Sequence, residues 1–473
     1  MQIRNLMTTI RQDDAGNVTL FSMFMILIVL LLTGSAVDIM RYEAMRTKLQ
    51  HTIDRAVLAA ADLDQKGIPK EVVENYMAAA GLENALANVV VSEGLNYRTV
   101  TATGSIPYDT MFMRLAGLHE LDAPGISSAE EKVNKVEISL VLDISGSMKY
   151  NAAADEDGTV VTKIAAMRTA AKSFVDTVIR PETDGLISLN IVPYSQQVNA
   201  GPDILDEFNV TEFFDYYGNP LSHNLSHCVE FTNSDYQSVG ISTTQALQQT
   251  QHFEWNQSGD FSQTVCPRFT DERIRAFSKS KTALKNQIDA LQPRAGTAIY
   301  AGMKWGAAML DPLFRPVVTN LITKSAADGA FAGRPAEYSD VETLKTVVLM
   351  TDGENSSSMK IKNHYYNSQS EINRWATENL QDYADDQGNS AYSYTTFHMN
   401  QTLGNSLLQD ACDAAKLKGI VIWTIGFEVN DNGANVMRNC ASSESHFFRV
   451  DGVEIEEAFH AIARQINNLR LVQ

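Results

Sequence analysis

The chain has 473 residues, 44% of them hydrophobic, and a formal net charge of −19. Such a length exceeds one ordinary core, so two or more domains are expected, with insertions if the main one is a single sheet. The acidic field repels nucleic acid and attracts divalent cations, which argues against a nucleic-acid partner and for a metal.

Residues 1–16 read as a short N-terminus. From Asn17 to Val37, "NVTLFSMFMILIVLLLTGSAV" carries no charge over the length a helix needs to cross a hydrocarbon core. Its apolar part is long for a cleaved signal and runs into helical sequence without a small-residue cleavage site, so an uncleaved anchor is expected. Positive charges do not orient it: Arg4 and Arg11 lie on one flank, Arg41, Arg46 and Lys48 on the other. The acidic bulk and the even cysteine count lead us to expect a short cytoplasmic N-terminus with everything after Val37 outside.

Residues 38–85 are expected to continue the helix, because Ile39, Met40, Met45, Leu49, Ile53, Val57 and Ala60 recur at near-helical intervals. By itself this half fits a pilin-like helix and a plain stalk equally. Residues 86–131 hold short β-rich runs broken by Gly and Pro, which predicts a small strand-containing module.

Within 132–473 strands and helices alternate. Strands are expected over Val136–Ile144, Leu186–Val192, Thr346–Met350, Ile420–Phe427 and His446–Val450. Helices are expected over Lys163–Ile179, Lys281–Leu291, Thr297–Leu310, Ser406–Lys418 and Val453–Leu469. Alternation of apolar strand runs with amphipathic helices predicts an α/β domain with a doubly wound, mostly parallel sheet covered on both faces. Polar stretches at about 201–277, 312–342 and 355–404 read as insertions, and loops of that length are usually functional surfaces.

None of the four cysteines forms a CxxC pair. Of the three possible connectivities, sequence proximity favours Cys228 with Cys266 and Cys412 with Cys440, a pairing that needs an oxidising compartment. "SHNLSHC" also allows a zinc site drawn from His223, His227, Cys228, His252 and Cys266. A disulfide is the preferred use, because it closes an insertion with little hydrophobic content.

Ligands of open parallel sheets sit at the carboxyl ends of strands. Asp143 ends the strand in "ISLVLDISGSM", Asp352 ends another in "VVLMTDGE", and Thr297 follows Gly296 at the start of a helix. With Ser145 and Ser147 they make two carboxylates and three hydroxyls, all hard oxygen donors, which suit Mg²⁺ or Mn²⁺ and leave positions for water or a partner's carboxylate. A bland alternative makes Asp143 a turn or N-cap residue whose serines satisfy backbone groups. Another makes Ser145 or Ser147 a nucleophile, although neither a GxSxG elbow nor an SxxK motif surrounds them.

"DISGSM", then "GT", then "TDG", resembles the metal-ion-dependent adhesion site (MIDAS) of von Willebrand factor type A domains, over about Val133–Leu469. The resemblance implies that Ser145, Ser147 and Thr297 touch the metal through their hydroxyls, and Asp143 and Asp352 mainly through water. Mg²⁺ is the implied ion, with Mn²⁺ or Ca²⁺ as substitutes. The interval from Ser147 to Thr297 is longer than the family's, and the insertion from Gly201 to Phe277 accounts for it.

The anchor "SAVDIMRYEAMRTKLQHTIDRAVLAAA" is similar to that of TadG-like proteins of bacterial tight-adherence (Tad/Flp) pilus systems. Gly16 stands where a prepilin cleavage glycine would, but Phe21 takes the place of the pilins' Glu, which favours an uncleaved or minor component. The combined resemblance implies a non-enzymatic, single-pass protein of the bacterial inner membrane, with its bulk in the periplasm or carried on the cell surface or pilus. It would act in pilus-associated adhesion or assembly, with other minor pilus subunits or assembly proteins as partners and a surface or host protein's carboxylate as ligand. A structural subunit with a stabilising metal is the second reading, and a serine hydrolase the third.

Overall fold

Ala15–Ala61 form one helix, α1. Its N-terminal half presents Phe21, Phe24, Ile26 and Leu30 outward, as a helix whose own backbone bonds are satisfied can do in lipid. In its C-terminal half the helically spaced set divides. Leu49, Ile53, Val57 and Ala60 are buried, whereas Ile39, Met40 and Met45 are exposed. The structure is a computed structural model that describes residues 15–62, 65, 67–93, 97–133, 135–154, 158, 160–211, 213–221, 223–258, 261–468 and 471–472; most of the expected N-terminal stretch 1–16 lies outside these.

The helix does not continue to residue 85. It ends at Ala61, and a second helix, α2 (Pro69–Ala79), begins at Pro69. Proline fixes φ and has no N–H to donate, so it starts a helix more readily than it continues one. Three antiparallel strands follow, β1 (Leu86–Glu93), β2 (Tyr97–Asp109) and β3 (Glu120–Val133), and the C-terminal strand Leu471–Val472 pairs with β3. The core of this unit, 1–133 with 471–473, joins Leu49, Ile53 and Val57 of α1 to Val73 and Met77 of α2 and Val100 and Ala102 of β2.

The second unit covers 134–470. Along the chain come β4 (Lys135–Asp143), α3 (Lys163–Val178), β5 (Ile187–Tyr194), β6 (Arg275–Ser278), α4 (Lys281–Ala290), α5 (Ile299–Ala308), β7 (Thr343–Thr351), α6 (Gln401–Leu417), β8 (Val421–Phe427), α7 (Asp431–Cys440), β9 (Phe447–Val450) and α8 (Glu454–Asn468). The strands lie in the order β6-β5-β4-β7-β8-β9, parallel throughout except for β6 against β5. Every residue of β4 from Val136 to Asp143 is buried, because both faces of the sheet are covered. Alternate side chains divide accordingly: Ile138, Leu140 and Leu142 pack with α3, α4 and α8, and Val141 with α5, α6 and α7.

β6 falls inside the stretch read as the 201–277 insertion. Its four residues, "RAFS", are too short to show a period, yet they add the antiparallel edge. The polar stretches are folded as well. Residues 312–342 contain a helix, Arg315–Thr323, whose Val317 and Leu321 join the α5–α6 core. Leu221, Phe253 and Val265 from the first insertion pack with Ile361, Trp375 and Tyr394 from the third in a separate core. Cys228 is bonded to Cys266 and Cys412 to Cys440, the latter tying α6 to α7.

Candidate metal centre

β4 and β7 are adjacent and parallel, with Leu142 opposite Met350. Their carboxyl ends therefore emerge together, carrying Asp143 on β4, and Thr351 and then Asp352 at the end of β7. Both carboxylates are buried. Asp143 Oδ1 accepts from Ser145 N (2.7 Å), and Oδ2 accepts from Thr351 Oγ1 (2.7 Å) and, more weakly, from the Tyr194 hydroxyl (3.4 Å). Ser147 Oγ donates to Asp352 Oδ1 at 2.6 Å and lies 3.0 Å from Ser145 Oγ. Asp143 thus does make the turn bond of the bland reading, but its second oxygen and both serine hydroxyls are committed elsewhere.

The serine loop is tied to the segment before α5. Gly146 N donates to Ala295 O at 2.9 Å, and a Cβ at Gly146 would stand 2.9 Å from that same oxygen, so only glycine fits. Thr297 is held by Ser356: its N–H donates to Ser356 Oγ (3.1 Å), and its carbonyl accepts from Ser356 N (2.8 Å). Thr297, Ser147 and Gly353 line one cleft of about 360 Å³. Asp143, Ser145, Ser147 and Asp352 thus form one hydrogen-bonded group, and Thr297 stands on the wall of the cleft that Ser147 enters.

Burial, and after it the charge of Asp352, pushes the Asp143 carboxyl up to about 7. Burial also raises Asp352, against the lowering effects of Ser147 and Lys163. Lys163 Nζ lies 3.2 Å from Asp352 and 3.5 Å from Glu428. One ammonium is therefore shared by two carboxylates, those of Asp352 and Glu428, and the excess is negative. Lys149 and Glu354, of opposite sign, also line the cleft.

Among the described residues no group of three or more His, Cys, Asp or Glu is placed to hold a metal. The candidate set differs in kind, with two carboxylates and three hydroxyls. Hard oxygens beside uncompensated buried charge fit Mg²⁺, Mn²⁺ or Ca²⁺, and the absence of nitrogen and sulfur from the set disfavours zinc. The zinc reading of the first insertion fails on its own residues. Cys228 and Cys266 are bonded to each other, His223 Nε2 pairs with Thr250 O, and His252 Nδ1 with Ser226 Oγ.

Thr351, Tyr194, Lys163 and Glu428 were not singled out from the sequence. Thr351 had a signal, since it immediately precedes Asp352 at the same strand end. Lys163 begins a helix after a polar loop and Glu428 follows β8, and nothing local points either of them at Asp352.

Residues 16–63 match the family described as "Tad: Putative Flp pilus-assembly TadE/G-like". No curated protein matches the chain. Among solved structures it is similar to the vWF domain of the type V pili tip protein Mfa5 from Porphyromonas gingivalis, at 14% identity and a TM-score of 0.36, over 72% of this chain and 98% of that one. It is also similar to the PilB minor pilin from Streptococcus sanguinis, at 13% identity and a TM-score of 0.34, over 82% and 78% of the two chains. A third is the adhesive tip pilin GBS104 from Group B Streptococcus agalactiae, at 11% identity and a TM-score of 0.33, over 70% and 100%. The N-terminal helix is a Flp pilus-assembly TadE/G-like segment, as the anchor sequence led us to expect.

Proposed function

We propose that residues 134–470 are a doubly wound domain of the von Willebrand factor A kind, carried on a membrane-anchored component of a Tad/Flp pilus. In this reading Asp143, Ser145, Ser147, Thr297 and Asp352 hold a divalent cation, Mg²⁺ first and Mn²⁺ or Ca²⁺ as substitutes. The cation would take a carboxylate from a protein ligand, and the role is adhesion or assembly, not catalysis. The observation that supports it most is the meeting of two buried carboxylates from neighbouring parallel strands, joined through Ser145 and Ser147, with too little positive charge around them. The serines' partners are each other and Asp352, an arrangement that suits ligation better than attack. The TadE/G-like segment and the apolar run before Val37 support anchoring in the inner membrane, and the two disulfides support a periplasmic or surface location for the bulk.

A ligand that binds only the folded state stabilises it by about 2.7 kcal/mol at a hundred times its dissociation constant. Mg²⁺ should therefore raise the melting temperature of the wild-type chain and leave that of Asp143→Ala unmoved. A strain carrying Asp143→Ala, viewed by electron microscopy and tested for surface attachment, separates the roles. Pili without attachment would mean adhesion, and lost pili would mean assembly. An equal Mg²⁺ response in wild type and variant would sink the metal site. A Mg²⁺ response with attachment and pili both intact would favour the purely structural metal.

A further inference from the structure

We infer that the turn between β2 and β3, residues 111–118, is a membrane-contacting tip that enters the edge of the bilayer beside α1. The proposal rests on the reading of α1 as the anchor. Asp38 is the first charged residue after the apolar run, and it is fully buried. Its carboxylate accepts from the N–H groups of Met111 (3.1 Å), Phe112 (2.8 Å) and Met113 (2.8 Å) and from the Tyr108 hydroxyl (3.2 Å). These bonds clamp the turn to the helix at the point where the apolar run ends.

One helical turn further towards the N-terminus, Gly34 is buried under Phe112; a Cβ there would stand 2.3 Å from the ring. At 1.5 Å of rise per residue, Gly34 lies ~4.5 Å inside the last apolar residue, Val37. The clamp therefore holds the Phe112 ring level with the charge-free segment. Two further bonds fix the direction in which the hairpin runs, Tyr42 OH to Asp122 O (3.2 Å) and Gln50 Nε2 to Ile126 O (2.9 Å). As the helix proceeds away from the apolar run, its partners lie further from the tip.

The sequence of the tip, "MFMRLAGL", suits that position. Met111, Leu115 and Leu118 are 60%, 73% and 51% exposed, three apolar side chains on a turn that is bonded to α1 where the apolar run ends. Arg41 donates to Met111 Sδ at 3.0 Å, at the start of the turn. Exposed apolar side chains beside a cation just past an apolar span are the arrangement found at membrane interfaces. The occupant is lipid because the patch adjoins a segment whose surroundings are already lipid.

The test uses the full chain in vesicles of phosphatidylethanolamine and phosphatidylglycerol doped with nitroxide lipids. Leu115→Cys is labelled with a polarity-sensitive fluorophore, which reaches only the new thiol because the native cysteines are all in disulfides. Val90→Cys, an exposed apolar position on β1, serves as the comparison, and Leu27→Cys reports the span. The Leu115 label should emit to the blue of the Val90 label and lose most of its emission to nitroxides placed near the headgroups. Gly34→Leu, which displaces Phe112 from the helix, should return it towards the Val90 signal. Quenching of the Leu115 label by aqueous iodide as strong as at Val90 would overturn the proposal. So would protection from both iodide and nitroxide, which would mean that protein covers the tip. Failure of nitroxide lipids to quench the Leu27 label would overturn the anchor itself.

Discussion

At Asp143 the sign of the pH dependence follows from burial. Its carboxyl moves from an ordinary value near 3.8 up to about 7 because the charged form is desolvated and faces Asp352. Between those values the folded state retains a proton that the unfolded state has lost, so stability falls as pH rises from about 4 to about 7 and levels off above. Asp143→Asn should reduce this slope, and the difference between wild type and variant, measured by denaturant titration in EDTA, reports the Asp143–Asp352 pair. A divalent cation competes with the same proton, so Mg²⁺ affinity should weaken as pH drops below about 7. Identical slopes in the two proteins would refute the assignment. Asp143 and Asp352 were legible as candidates beforehand because each stands at the carboxyl end of a strand, a charge after an apolar run. Lys163 and Glu428 were not, because a charge reaches Asp352 from them only once the sheet has brought β8 and α3 to the same edge.

Among the elements, the buried strands announced themselves by apolar runs, and two charges near the starts of neighbouring runs are partners. Glu137 on β4 and Lys345 on β7 are both buried and meet at 2.6 Å, and Lys345 Nζ also donates to Leu310 O at 2.9 Å. Removing one member of such a pair leaves the other charge without its ion-pair partner, at a cost of about 3–5 kcal/mol. Lys345→Met should therefore destabilise the protein by that amount. Glu137 lies near the start of β4, at the opposite end from Asp143, so the rise in melting temperature with Mg²⁺ should persist. A loss below ~1 kcal/mol, the level typical of exposed pairs, would show that water reaches the site. Shorter elements escaped the sequence for physical reasons. Four residues of β6 cannot display a two-residue period. The helices Gln369–Thr377 and Leu380–Asp386 bury only Ile372, Trp375, Leu380 and Ala384, too few apolar positions to stand out from a polar stretch. The break of the long helix before Pro69 was legible in principle, since a glycine and a proline lie within three residues, but the helical spacing up to Ala60 masked it.

For the whole molecule, the distribution of cores makes a separable prediction. The cluster around Leu49 and Val100 draws only on 1–133, while those around Val141, Ile138 and Trp375 draw only on 134–470. Both disulfides lie in the second set, as do Asp143, Ser145, Ser147, Thr297 and Asp352. Each unit thus has its own hydrophobic interior, the property that lets a domain fold alone. The sequence foretold a division near this point from the change to alternating strands and helices, but it had no means of placing Leu471–Val472, two residues that return to pair with β3. A fragment of residues 134–470, produced in an oxidising compartment, should unfold cooperatively and show the same Mg²⁺-dependent rise in melting temperature as the full chain. Thermal unfolding of the two proteins side by side checks this. A fragment without a cooperative transition would show that the second unit depends on the first, and a folded fragment with no Mg²⁺ response beside a responsive full chain would place part of the metal site outside 134–470.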